Sequence, residues 1–167
     1  MSADRPCNVL FLCTHNSARS ILAEGIVTLL GEGRLVGHSA GSHPSGRVNP
    51  FALEVLQSLG CDTAGMHSKS WDAFAGPHAP VMDFIITVCD NAAGESCPVW
   101  PGEPLKLHWG LADPSTVDSD DAGRRAAFQD TARQIAARVG ALIDRRGAAG
   151  DRRDAKRHTA TFTPAGQ

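Results

Sequence analysis

An α/β fold built on a parallel sheet is predicted by three features of the chain. It opens with an almost wholly apolar run, Cys7 to Leu12, as expected of a strand covered on both faces. That run leads through a short polar stretch straight into an amphipathic helix starting near Arg19. Further strand-like runs then alternate with helical periodicities as far as about Ile143.

Each element has a local reason. The first helix carries Leu22, Ala23, Ile26, Leu29 and Leu30 on one side, with Gly31 expected as its left-handed cap. Leu35 to Ala40 reads as the second strand. Asn49-Pro50 opens the next helix, a capping side chain followed by the residue best suited to the first helical position. Ala52, Val55, Leu56 and Leu59 share its face, and Gly60 ends it. A short helix is expected within His67 to Phe74 and a turn over Pro77 to Pro80. Asp83 to Cys89 forms the third strand and Leu105 to Trp109 the fourth. The last helix, from about Asp121 to Ile143, places Phe128, Ala132, Ile135, Val139 and Leu142 on one face. From Arg145 the apolar periodicity stops, so residues 1–144 are expected to form a single domain and 145–167 a disordered tail.

Composition narrows the function. The 167 residues are 42% hydrophobic and 20% charged, ordinary for a soluble globular protein. A net charge of −2 gives the whole chain no electrostatic reason to seek nucleic acid or an anionic membrane. No apolar stretch approaches the roughly 20 residues that span a bilayer, and no basic segment leads into a signal core, so a cytoplasmic location is expected. Five irregularly spaced cysteines do not make a secreted disulfide framework. No Cys-x-x-Cys or paired zinc-ligand spacing occurs, so neither a metal nor another cofactor is expected.

The stretch Cys13-Thr14-His15-Asn16-Ser17-Ala18-Arg19-Ser20 carries the chemistry. A tight loop that opens a helix turns several backbone N–H groups inward, toward the positive end of the helix dipole, and so favours an oxyanion. The same field favours the thiolate of Cys13, the candidate nucleophile, whose pKa is expected to fall below the usual thiol value. Arg19 can fold back as a planar fork over two oxygens of a tetrahedral anion. Ser20 can hold the thiolate through its hydroxyl, and Asn16 tolerates the left-handed backbone that so tight a turn needs without glycine.

Three residues further along fit this loop. In open α/β sheets the C-terminal edge of the strands builds the site, which puts Cys13 and Cys89 on one side. Asp113, on the loop after the fourth strand, can protonate a leaving oxygen; a turn-forming Asp before Pro114 is the plainer alternative. Cys89 and Cys97 bracket a polar loop and suit successive thiol–disulfide exchange, which a phosphatase does not need. Two independent thiols remain the alternative. Cys7 and Cys61 read as small buried residues, His108 as a satisfied strand-end histidine and Trp109 as core.

With Ser39-Ala40-Gly41, Val48-Asn49-Pro50, Thr87-Val88-Cys89, Cys97-Pro98, His108-Trp109-Gly110 and Asp113-Pro114 added in matching order, the chain resembles arsenate reductases on the low-molecular-weight phosphotyrosine phosphatase fold. The resemblance covers about Asn8 to Ile143. It implies a three-layer sandwich around a four-stranded parallel sheet of order 2-1-3-4. It implies arsenate as substrate, held by the loop of residues 14–20, and a Cys13, Cys89, Cys97 relay that ends at thioredoxin or another thiol reductant. A monomer is expected. The chain departs from some relatives in having Ala18 where they carry a second loop cysteine, and Lys69 where others have an aspartate that helps hold potassium beside residues matching Asn16, Glu24 and Ser39. The ammonium of Lys69 would then occupy the ion's place; a plain surface lysine is the alternative. A phosphatase working through a phosphocysteine, and a non-catalytic oxyanion sensor, are the competing functions.

Overall fold

The computed structural model describes the backbone of residues 5–89 and 100–158, with side chains as far as residue 144. Its elements run β1 (Cys7–Cys13), α1 (Arg19–Gly31), β2 (Leu35–Gly41), α2 (Pro50–Ser58), a 3-10 turn (Trp71–Phe74), β3 (Phe84–Thr87), β4 (Leu105–His108), a second 3-10 turn (Pro114–Thr116) and α3 (Asp121–His158). The four strands form one sheet in the order β2-β1-β3-β4, and every pairing is parallel. Cys97 and the expected polar loop around it lie outside the described residues.

β1 is central because its side chains serve both faces of the sheet. Val9, Phe11 and Cys13 point into a cluster with Ile21, Leu22 and Ile26 of α1, Leu56 of α2, and Phe128, Ile135 and Val139 of α3. Leu10 and Leu12 point the other way, against Phe74, Met82, Ile85 and Trp100. Phe11, Leu10, Leu12 and Leu22 are wholly buried, and each contributes about 1.5–3 kcal/mol over an exposed counterpart. Truncating Leu22 to Ala would cost about 2–5 kcal/mol through lost burial and the cavity left behind. This packing fixes β1 rigidly and so fixes where Cys13, its last residue, stands.

The outer edge of β2 is closed rather than open. Gly37 N–H donates to Thr28 Oγ1 at 2.9 Å, and Gly41 N–H donates to the Lys69 carbonyl at 2.9 Å. The segment before the first 3-10 turn thereby lies along the end of β2, beside the loop that follows β1.

Two helix ends differ from expectation. The left-handed residue that stops α1 is Glu32 (φ 47°), followed by Gly33 (φ 80°), and not Gly31. Gly31 stays helical, and its lack of a side chain answers to proximity: a Cβ there would lie 2.5 Å from Cβ of Leu35. α3 continues to His158 instead of stopping near Ile143. Its later residues include Ala, Arg and Lys, which favour helix without any apolar face to bury. Residues 159–167 lie outside the described residues. α2 follows the sequence closely, with Asn49 accepting from Phe51 N–H at 2.9 Å and Pro50 in the first turn.

Candidate active site

The loop from Cys13 to α1 is held by a second loop, residues 42–49, that uses up its carbonyl groups. Ser42 N–H donates to Cys13 O, His43 N–H to Thr14 O, Ser45 N–H to His15 O and Asn49 N–H to Ser17 O, at 2.8–3.4 Å. Ser68 Oγ also donates to His15 O at 3.2 Å. In a trans peptide the C=O and the following N–H point in opposite directions. Turning those four carbonyls outward therefore turns the N–H groups of Thr14, His15, Asn16 and Ala18 inward. The Asn16 amide bears this out, reaching Cys13 Sγ at 3.3 Å. α1 adds to the cradle, since Ala18 at its N-cap provides no side-chain acceptor for the first-turn amides.

Asn16 is the keystone of the turn. It is fully buried and adopts φ 48°. Its Nδ2 donates to Ser20 Oγ at 2.9 Å, and its Oδ1 accepts from Lys69 N–H at 2.9 Å. Ser20 Oγ in turn donates to Cys13 Sγ at 3.3 Å. One chain of hydrogen bonds therefore runs from the Lys69 backbone to the sulfur. Gly41 lies directly under the turn, where a Cβ would stand 2.5 Å from Thr14 O and 3.0 Å from Asn16 N.

Cys89 arrives at the same place from β3. The register pairs Leu12 with Thr87, and Val88 N–H donates to Leu12 O at 2.9 Å, so residue 89 emerges beside the start of the loop. Its Sγ lies 3.5 Å from Thr14 Oγ1, and Cys89 shares a buried cluster with Cys13. Both cysteines are only 4% exposed. This juxtaposition reverses one expectation from the sequence. The Cys89 partner and then burial push the Cys13 thiol up, and the Ser20 hydroxyl and Asn16 amide oppose them without prevailing.

Arg19 and Asp113 meet at the rim. Arg19 Nη1 donates to Leu111 O at 2.9 Å, while its Nη2 stands 3.6 Å from Asp113 Oδ2. The other Asp113 oxygen accepts from Ser115 N–H at 3.0 Å and Ser115 Oγ at 2.7 Å. Asp113 is thus both the cap of its turn and a neighbour of the guanidinium. Both side chains retain partial exposure, 16% and 28%.

Behind the loop lies a polar cluster. Lys69 Nζ donates to Ser39 O and to His67 O, each at 2.9 Å. Glu24 Oε2 and Ser39 Oγ are buried there, with the Ser39 amide and hydroxyl beside the Glu24 carboxyl. Burial raises the Glu24 pKa against the field of Lys69 and His67. Burial lowers the Lys69 pKa against the field of Glu24.

The structure brings Cys13, Arg19, Cys89 and Asp113 together; Cys97 lies outside the described residues. His108 Nδ1 meets Thr87 Oγ1 at 2.7 Å, and Trp109 packs on Phe11 with ring centroids 5.6 Å apart. Cys61 Sγ sits 3.6 Å from the Gly25 carbonyl. Sequence reasoning missed the bracing by residues 42–49, the close approach at Gly41 and the contact of Thr14 with Cys89. Among the described residues, no cluster of three or more His, Cys, Asp or Glu side chains could hold a metal ion.

A buried thiol at the end of a central strand, inward-facing amides and a guanidinium at the rim define a protein that handles tetrahedral oxyanions through sulfur. The chain belongs to the low molecular weight phosphotyrosine protein phosphatase family, whose sequence profile matches residues 8–152. Among its relatives, an arsenate reductase of Halalkalibacterium halodurans is 34% identical over 132 residues, spanning 78% of this chain and 91% of that protein. A solved arsenate reductase in the phosphate binding state superposes with a TM-score of 0.63 at 27% identity, covering 83% of this chain and 98% of that one. A low molecular weight protein tyrosine phosphatase from T. tengcongensis shares the fold, with a TM-score of 0.62 at 22% identity.

Proposed function

We propose that the chain is an arsenate reductase, converting arsenate to arsenite for arsenic detoxification. The observation that carries this reading is Cys89, buried at the start of the loop with its Sγ 3.5 Å from the hydroxyl of Thr14, the residue after Cys13. Hydrolysis of a phosphocysteine needs no second thiol there; transfer of two electrons does.

In the proposed sequence the inward amides of residues 14–20 and Arg19 hold arsenate. The incoming dianion accepts the Cys13 proton, and the thiolate attacks arsenic. An As–O bond breaks, with Asp113 protonating the departing hydroxide to water. Cys89 then attacks Cys13 Sγ: an S–S bond forms, the S–As bond breaks, and its electron pair stays with arsenic, which leaves as arsenite. Cys97 next attacks Cys89 and frees Cys13. Thioredoxin, or another thiol carrier, reduces the Cys89–Cys97 disulfide. A cytoplasmic monomer of a single domain completes the proposal. No helix among the described residues is long and apolar enough to cross a membrane.

The phosphatase alternative has the family relationship in its favour. Against it, residues 42–49, which wall the loop, carry no Phe, Tyr or Trp to lie along a phenyl ring. Incubating stoichiometric reduced protein with arsenate and counting thiols separates the two. One pair of thiols lost per arsenite formed is expected; intact thiols without arsenite would overturn the reductase. Cys97→Ser should complete one turnover and then stall, and sustained thioredoxin-driven turnover by that variant would exclude the three-cysteine relay.

A further inference from the structure

We propose that the reduced Cys13–Cys89 pair is also a chelating site for trivalent arsenic, so that the protein captures arsenite in its resting state. Cys13 ends β1 and Cys89 follows β3; the register of the two strands sets them side by side, with Cys89 Sγ 3.5 Å from the hydroxyl of Thr14, the residue after Cys13. They are buried alike, each 4% exposed. Cys89 is further held by Thr14 Oγ1 at 3.5 Å, and Cys13 by Ser20 Oγ and Asn16 N–H at 3.3 Å. The pair is therefore organised before any ligand arrives, and a second sulfur adds its bond without closing a floppy loop.

The chemistry involves no oxidation. Arsenite at neutral pH is the uncharged trihydroxide. Each thiol replaces one hydroxyl, so two As–S bonds form, two As–O bonds break and two waters leave. The remaining As–OH faces the amides and Arg19 that serve the oxyanion. Among the other described cysteines, Cys7 opens β1 at the opposite end from Cys13, and Cys61 Sγ contacts the Gly25 carbonyl.

This site is closed during turnover, because release of arsenite leaves Cys13 and Cys89 joined as a disulfide. It opens again when the reductant restores both thiols. Arsenite therefore inhibits by competing with arsenate for the reduced protein, and the inhibition grows as reductant becomes saturating. The binding step itself is independent of the reductase reading.

The test uses reduced full-length protein freed of reductant, with no arsenate present. Calorimetric titration with arsenite should show one equivalent bound per chain. Affinity should fall on the order of a hundredfold in Cys13→Ser and in Cys89→Ser, the advantage expected of a tethered second ligand. Cys61→Ser should match the wild type. Wild-type affinity retained by Cys89→Ser, or no binding by the wild-type protein, would overturn the proposal. Should either serine variant misfold, the wild type alone decides: arsenite must slow iodoacetamide alkylation of Cys13, and undiminished alkylation at saturating arsenite excludes the site. Since neither arsenate nor an electron donor is present, a failure here is distinct from a failure to reduce arsenate.

Discussion

Replacing Ser20 by Ala tests how the pocket controls its nucleophile. The hydroxyl donates to Cys13 Sγ at 3.3 Å and accepts from Asn16 Nδ2 at 2.9 Å, with both residues fully buried. A hydrogen bond to a charged acceptor is worth about 1.5–3 kcal/mol, which corresponds to about one to two pK units. The sign follows from the chemistry: the hydroxyl stabilises the thiolate and lowers the Cys13 pKa, so its loss raises a value that Cys89 and burial already hold high. The pH profile of iodoacetamide alkylation at Cys13, read by peptide mass spectrometry, should move to the alkaline side by that amount. Below the midpoint the rate should fall about tenfold to a hundredfold. The orphaned Asn16 amide should separately cost about 1–3 kcal/mol in urea unfolding. Ser20→Thr, which keeps the hydroxyl, should recover much of the profile. A profile in Ser20→Ala that stays put or moves to the acid side would refute the role assigned to this hydroxyl.

Two further outcomes follow from the loop's surroundings. Gly41→Ala places a methyl against Thr14 O and Asn16 N; it should cost about 1–3 kcal/mol and weaken vanadate binding more than about tenfold, because the displaced amides no longer converge. Unchanged vanadate affinity would show that the turn tolerates the methyl. Lys69 Nζ already satisfies the Ser39 and His67 carbonyls beside Glu24, so exchanging sodium for potassium at constant ionic strength should leave melting temperature and turnover unchanged. Lys69→Ala should lose about 1–3 kcal/mol, and a potassium requirement in the wild type would show that the ammonium does not fill an ion's place.

The anion loop was legible in the sequence because the signals that mark it are local, although residues 42–49, Ser68 and Lys69 brace it from elsewhere. A buried strand, a turn closed by Asn16, a helix with Ser20 in its first turn and Asp113 before Pro114 all act over a few residues. The alternation of strands and helices gave the parallel sheet for the same reason. What escaped depends on distant parts of the chain. Gly31 was read by its conformational freedom, whereas the close approach of Leu35 explains its lack of a side chain. The end of α3 was read from its apolar stripe, whereas helix propensity carries the backbone on to His158. The direction of the Cys13 shift depends on a partner 76 residues away, delivered by the register of β1 against β3. The loop's helix-facing position was visible; the sulfur that opposes it was visible only as a second cysteine at a strand end.

That opposition favours redox chemistry over hydrolysis. A phosphocysteine is resolved by water attacking phosphorus, and a neighbouring thiol that keeps the nucleophile protonated only slows its formation. When the resolving attack falls on sulfur instead, the same neighbour must already be at hand. In the proposed relay the rate would depend on how often Cys89 Sγ reaches Cys13 Sγ, and the placement of Cys89 beside Thr14 brings the two close in orientation. Thr14 fits the same division of labour: it stands next to Cys13 in the chain, yet its hydroxyl lies against Cys89. Each sulfur therefore has a hydroxyl beside it, Ser20 at Cys13 and Thr14 at Cys89.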